Sequence, residues 1–312
     1  MGNEYSEFPG AAGMLDSSAR GREILTEPGS ELGTEPDRRG ERDRMELDAA
    51  ARTHRGLVRS RNEDAVCLWP PAEGIVARDA LVAAVADGMG GHPGGDRASA
   101  LAVGSLADEA WSSSTGPRSL LEAAFRNAGE RIAREVQSDP SLTGMGTTLV
   151  AALFLPGGAW VSSVGDSRLY WIRGERLVLV TRDHTMADDL VRRGLLDAAD
   201  ADRHPSSHLL TRCLGTCPDA RPDLPSRPLR PIPGDLFLLT SDGLGRVVEV
   251  ERIPSLVAGK IAAAAADALV DAALAGGAPD NVTVIVVRWL GEPTDRDAGG
   301  LDFEEVPGWD RK

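Results

Sequence analysis

The chain has 312 residues, with 34 Lys and Arg against 48 Asp and Glu and a formal net charge of -14. That balance argues against nucleic acid as a partner, because phosphate backbones need a basic face. No run of eighteen apolar residues marks a membrane-spanning helix, and three cysteines without a secretory leader predict reduced thiols in a cytoplasmic protein.

Residues 1–48 are rich in Glu, Arg, Gly, Ser and Pro, and their apolar residues have no period. Such a stretch buries too little apolar surface to offset its ordering entropy, so a disordered tail is expected. A globular domain is expected over 49–290. Its strand-like runs are 81–86, 148–155, 159–164, 168–172, 176–181, 236–240 and 282–287, each short and bounded by Gly, Asp or Pro. Helical patterns cover 97–111, 118–137, 186–196 and 260–275, the last ending at Gly276-Gly277. The stretch 197–233 is rich in Pro, Asp and Arg and reads as an irregular excursion, so a flap is expected over about 186–233. Residues 291–312 are polar and read as a second flexible tail. Strands follow one another in hairpin fashion while helices cluster in two places. This predicts an α+β fold rather than alternating βαβ units.

The chemistry lies in acidic residues beside Gly, Asn or Ser: Asp64 in RSRNED, Asp87 in VADGMGGH, Asp166 in VGDSR, Asp242 in LLTSDGL and Asp280 in APDNVTV. Asp87, Asp166 and Asp242 each follow an apolar run. Strand ends can converge in one cleft, and converging carboxylates need cations to stay ionised together. Carboxylate oxygens are hard ligands, which points to magnesium or manganese. Taken singly, each Asp-Gly or Asp-Asn pair is also an ordinary turn. Cys213 and Cys217 are four apart, but no second Cys or His pair joins them, so they read as buried or incidental thiols.

The segments GLVRSRNED, VADGMGGHPGGDRAS, GMGTTLVAALF, VSSVGDSRLYWI, TRDHT, LLTRCLG, GDLFLLTSDGL and PDNVTVIVV occur in this order over residues 56–287. In this set the chain resembles the metal-dependent protein serine/threonine phosphatases of type 2C, the PPM family, in their bacterial form. The resemblance implies two antiparallel β-sheets packed as a central sandwich and flanked by helices, with a metal centre in a cleft at one end.

It further implies that Asp87 bridges two Mn²⁺ or Mg²⁺ ions, that the Gly88 carbonyl is a ligand, and that Asp242 and Asp280 complete the direct set. Glu63 and Asp64 would hold metal-bound waters. Asn281 would orient the neighbouring carboxylate or the loop. Arg59 would bind the phosphoryl group, with Arg61 as the competing choice. Asp166 would share a third ion with Asp242, or else cap the turn before RLYWI. The implied reaction is hydrolysis of phosphoserine and phosphothreonine in proteins by a metal-activated water. The enzyme would be a monomer opposing bacterial Ser/Thr kinases. The alternative is a catalytically weak or inactive domain that binds phosphoproteins or a regulatory partner. A cysteine-based phosphatase is disfavoured, since no CxxxxxR loop is present. Two positions depart from the family pattern. Met89 stands where eukaryotic relatives often carry a candidate acid, His, with His92 nearby. Gly245-Arg246 follows SDGL where relatives commonly have Thr-Asp.

Overall fold

Two antiparallel sheets form the centre of the molecule. The computed structural model describes residues 45–70, 74–89, 94–112, 116–217, 220–292 and 300–306. In chain order the strands are β1 (Met45–His54), β2 (Asp64–Trp69), β3 (Gly74–Arg78), β4 (Leu81–Asp87), β5 (Leu149–Leu155), β6 (Gly158–Val164), β7 (Arg168–Arg173), β8 (Arg176–Leu179), β9 (Leu236–Thr240) and β10 (Val282–Trp289). One sheet has the order β3-β1-β10-β9-β7-β8 and the other β2-β4-β5-β6. The helices are α1 (Gly95–Ser112), α2 (Pro117–Ser138), α3 (Met186–Arg192), α4 (Asp242–Gly245), α5 (Ile253–Val257) and α6 (Ala262–Ala275).

The layering follows from the two-residue period of strands. In β10, Ile285, Val287 and Trp289 face the space between the sheets, while Val282, Val284 and Val286 face α6. In β4, Leu81, Ala83 and Val85 face the inter-sheet space, while Val82, Ala84 and Ala86 face α1 and α2. Both faces of each central strand are therefore buried, and the runs read as nearly continuous apolar sequence. The result is the expected α+β sandwich with helices on both outer faces.

Four expectations are corrected. First, the domain begins at Met45, not at residue 49. β1, MELDAAARTH, is an interior strand paired with β10 on one side and β3 on the other. Its Ala-rich, charged sequence conceals it. Buried Asp48 accepts the Ala262 N–H at the start of α6 (2.7 Å), and Arg52 Nε donates to Asp267 Oδ1 (2.7 Å). Asp48 and Arg52 thus have tertiary partners that local pattern does not reveal. Residues 1–44 of the expected tail lie outside the described residues.

Second, the chain after Gly291 is not all free tail. Phe303 is 1% exposed and packs edge-on against Trp171 at 5.1 Å, and Leu301 N–H donates to the Pro228 carbonyl. Third, the helix expected over 186–196 stops at Arg192, and Gly194 with φ +68 turns the chain. The excursion that follows is no free flap along its return path. Backbone bridges join Leu210 to Thr185, Leu214 to Thr147, Asp223 to Ser163 and Leu229 to Ala159. It thereby covers the outer edge of β6, which would otherwise present unpaired backbone groups. Fourth, Cys213 and Cys217 form a disulfide rather than two reduced thiols. Cys67 is a free cysteine, its thiol pushed up to about 12 by burial.

Candidate metal centre

The period that builds the sandwich also aims the site. Asp87 ends β4 on the same side as Leu81, Ala83 and Val85, toward the inter-sheet space. Asp64 opens β2 directly opposite Asp87 in the antiparallel register. From the other sheet, Ser241 follows β9 and Thr283 lies in β10, and both donate to Asp64 Oδ2 at 2.7 Å. Carboxylates from one sheet therefore meet hydroxyls from the other at the open end of the sandwich. Asp64 Oδ1 and Asp242 Oδ1 are buried and without a hydrogen-bond partner.

These carboxylates repel one another in a medium of low polarity. Burial, with Asp242 and Asp280 adding, raises Asp64 to about 7 against the pull of the Thr283 and Ser241 hydroxyls. Burial likewise holds Asp87 well above the usual carboxylate range, with Asp64 and Asp242 contributing. Asp166 is raised by burial and by Asp242 and Asp183. Burial also raises Glu63. Unpaired buried carboxylate oxygens in a cluster that resists ionisation fit a site for a hard divalent cation.

Backbone geometry supports that fit. A Cβ on Gly88 would stand 2.2 Å from the Gly95 carbonyl oxygen and 2.6 Å from that of Glu63, so only glycine lets the chain pass here. The Gly88 N–H donates to Glu63 O, and Asp87 N–H donates to Thr148 Oγ1. A Cβ on Gly243 would meet the Asn281 carbonyl oxygen at 1.9 Å. This close approach sets Asp242, at the start of α4, against Asp280, just before β10.

Two arginines already neutralise the rim. Arg59 Nη2 donates to Asp280 Oδ2 and its Nε reaches Asp280 Oδ1, both at 2.8 Å. The hydrogen bond to Asp280 holds the Arg59 pKa up. Arg61 is exposed and sends its carbonyl, not its guanidinium, into the site, where it accepts from Asn281. Arg246 pairs with Asp242. In this arrangement, and among the described residues, no three His, Cys, Asp or Glu side chains close around a single point.

A family model for protein phosphatase 2C matches residues 58–275. The chain belongs to the protein phosphatase 2C family. It is 40% identical over 241 residues to the serine/threonine protein phosphatase PstP of Mycobacterium tuberculosis, covering 77% of this chain and 44% of that protein. The chain thus spans under half the length of this relative. The serine/threonine phosphatase stp of Listeria monocytogenes is 34% identical over 249 residues, covering 78% of this chain and 96% of that one. The crystal structure of the M. tuberculosis PstP/Ppp phosphatase superimposes with a TM-score of 0.69 at 38% identity, covering 79% of this chain and all of that one. A structure of the PstP catalytic domain in complex with two manganese ions superimposes with a TM-score of 0.67, also at 38% identity, covering 79% of this chain and 99% of that one.

Within this phosphatase 2C domain, Asp64, Asp87, Asp166 and Asp242 sit close enough for their charges to interact, and Asp280 acts on Asp64 and Asp87. Glu63 stands at their edge, its carboxylate beside Gly95. Asn281 bonds the backbone of the loop on both sides. Its Oδ1 accepts the Glu63 N–H, and its Nδ2 donates to the Arg55 and Arg61 carbonyls, at 2.8–2.9 Å. Those bonds clamp the loop that carries Arg59. His92 lies outside the described residues. Met89 points its sulfur toward Thr216 Oγ1 (3.7 Å).

The motif TRDHT holds residues whose roles the sequence does not reveal. Arg168 forms a two-pronged bond to buried Asp183 and also reaches Asp202 in the excursion. Burial opposes the Arg168 charge, but Asp183 outweighs it and keeps the guanidinium pKa well up. Buried His184 binds Gly165 through its ring and its backbone. Thr148, Ser241 and Thr283 also gain meaning only from tertiary contacts, since isolated hydroxyls carry no sequence signal.

Proposed function

We propose that this chain hydrolyses phosphoserine and phosphothreonine in proteins, using two divalent ions held by Asp87, the Gly88 carbonyl, Asp242 and Asp280. The observation that carries the proposal is the pair of buried, unpartnered oxygens, Asp64 Oδ1 and Asp242 Oδ1, within one carboxylate cluster at the mouth of the sandwich. When bound, Mn²⁺ or Mg²⁺ would polarise the phosphoryl oxygens and make a nucleophile of water near neutral pH.

The chain's own residues do the rest. Arg59 is 38% exposed and lies beside Asp280, at the rim, where a planar guanidinium can take two oxygens of a phosphate monoester. Asn281 sets its height by gripping the loop on both sides, at Arg55 and at Arg61–Glu63. Asp64, held by Ser241 and Thr283, keeps a fixed acceptor oxygen for water in the cleft. Glu63 offers a second carboxylate for the same task. The partners on this reading are phosphorylated proteins, the substrates of Ser/Thr kinases, met by a monomer in the cytoplasm. Among the described residues no helix is long and apolar enough to cross a membrane.

The test is phosphate release from a phosphothreonine peptide, with manganese added and then chelated. Release is expected with manganese and none with chelator, because the bare cluster repels a phosphate dianion. Undiminished release from metal-stripped protein would overturn the proposal. A folded protein that binds manganese and the phosphopeptide but releases nothing would leave a phosphoprotein-binding module.

A further inference from the structure

The Gly245-Arg246 step puts a cation where relatives commonly have an acid. The Arg246 backbone N–H donates to the Asp242 carbonyl, and the four-residue spacing lays the guanidinium over the Asp242 carboxylate. Nε donates to Asp242 Oδ2 at 2.9 Å, and Nη2 bonds the same oxygen. Nη2 also lies 3.8 Å from Asp280 Oδ2, the oxygen that accepts from Arg59 Nη2 at 2.8 Å. Two guanidiniums, one from the loop before β2 and one from the end of α4, therefore converge on a single carboxylate oxygen. Both stand at the rim, the Arg59 side chain 38% exposed and that of Arg246 42%. Burial opposes the Arg246 charge, but Asp242 and Asp280 outweigh it.

We propose that Arg246 is a second phosphate-binding residue, gripping the phosphoryl group of the substrate together with Arg59. The inference rests on the metal and phosphate reading above. Asp242 and Asp280 cannot give the same oxygens to divalent ions and to guanidiniums, so both arginines must leave these carboxylates when ions are held there. Arg246 is then in the position of Arg59: charged, tethered at the mouth of the site, and with its former partner taken. The terminal oxygens of a phosphate monoester dianion accept several bonds each, enough for two planar forks. The Asp280 carboxylate shows that one anionic oxygen at this rim can lie close to both side chains. Arg168 does not join them, being held by Asp183 and Asp202.

The test uses inorganic phosphate as the probe, on the full chain, with each variant saturated with manganese. Phosphate binding is read by calorimetry and by inhibition of small-ester hydrolysis, and manganese affinity is measured separately by equilibrium dialysis. Arg246→Ala should weaken phosphate binding about tenfold, as should Arg59→Ala, and should raise KM for a phosphothreonine peptide more than it lowers kcat. Arg246→Lys keeps the charge without the fork, and it should recover part of the loss. Arg246→Gln is the variant to read if the alanine variant does not fold, and the same weakening is expected. A residue that merely pairs with Asp242 gives a different result, in which manganese affinity changes and phosphate affinity at saturating manganese does not. That result, with Arg59→Ala still weakening phosphate binding, would overturn the inference and leave the Arg59 reading standing. Unchanged phosphate binding in the Arg59 and Arg246 variants alike would take down both.

Discussion

Asp64 and Asp87 face each other across the β2–β4 ladder, two half-buried carboxylates in directly opposed positions. Like charges so placed destabilise a sheet, and here the cost is met by protonation or by cations. Asp64 has a folded-state value of about 7 against an ordinary 3.8. Its proton is held more tightly in the folded state than in the unfolded chain. Its stabilising contribution is therefore complete below about pH 4 and is lost as pH rises through about 7. Metal-stripped protein should show this component as a falling melting temperature between those limits, and the fall should flatten when manganese is added. A melting temperature in chelator no lower at pH 7.5 than at pH 5 would refute it.

Arg59 and Arg61 differ in what their side chains reach. Of these two, Arg59 is the one that bonds a carboxylate of the rim, Asp280. Arg59→Ala should raise KM for a phosphopeptide about tenfold or more, the equivalent of one charge-assisted hydrogen bond, with a smaller fall in kcat. Arg61→Ala should change KM little. The reverse order in steady-state kinetics would assign phosphate binding to Arg61.

His184 holds the turn that carries Asp166. Its Nδ1 accepts the Gly165 N–H at 3.1 Å, and its backbone N–H donates to the Gly165 carbonyl at 2.9 Å. With Nδ1 accepting, the ring proton sits on Nε2 and is donated to Asp223 Oδ2 at 3.1 Å. Arg212 then bonds Asp223 Oδ1 at 2.7 Å. Despite partial burial, the bonds from His184 and Arg212 hold Asp223 down at about 2. His184→Ala leaves the Gly165 N–H without its acceptor, and a loss of about 1–3 kcal/mol is expected. Denaturant unfolding measures it, and an unchanged midpoint would show that the ring does not support the turn.

Phe303 should behave as a core residue. It packs against Trp171, and the Arg173 guanidinium lies 5.0 Å above its ring. Phe303→Ala should cost about 3–5 kcal/mol, read as a lower melting temperature with phosphatase activity kept at low temperature. A shift below 1 °C would return this segment to the status of a tail.

Local sequence determined which residues could do the chemistry. The runs before Asp87, Asp166 and Asp242 are short, apolar and glycine-bounded, and the structure places strands there. The ordered motifs over 56–287 made the family legible for the same reason, since a rigid strand end followed by a turn is a local arrangement. β1 was not legible, because its Asp48 and Arg52 find partners 214 and 215 residues away. Nor was Phe303, a single apolar residue in a polar stretch, or the Cys213–Cys217 bond. Only the tertiary structure set Asp64 against Asp87, gave Asp64 to Ser241 and Thr283 from the opposite sheet, and decided which backbone groups of the loop Asn281 grips. It alone laid Arg246 on one oxygen of Asp242 and left the other bare. The physical reason is that charge and hydrogen bonding act through space over a few ångströms. Sheet packing, not sequence separation, determines which groups come within that reach.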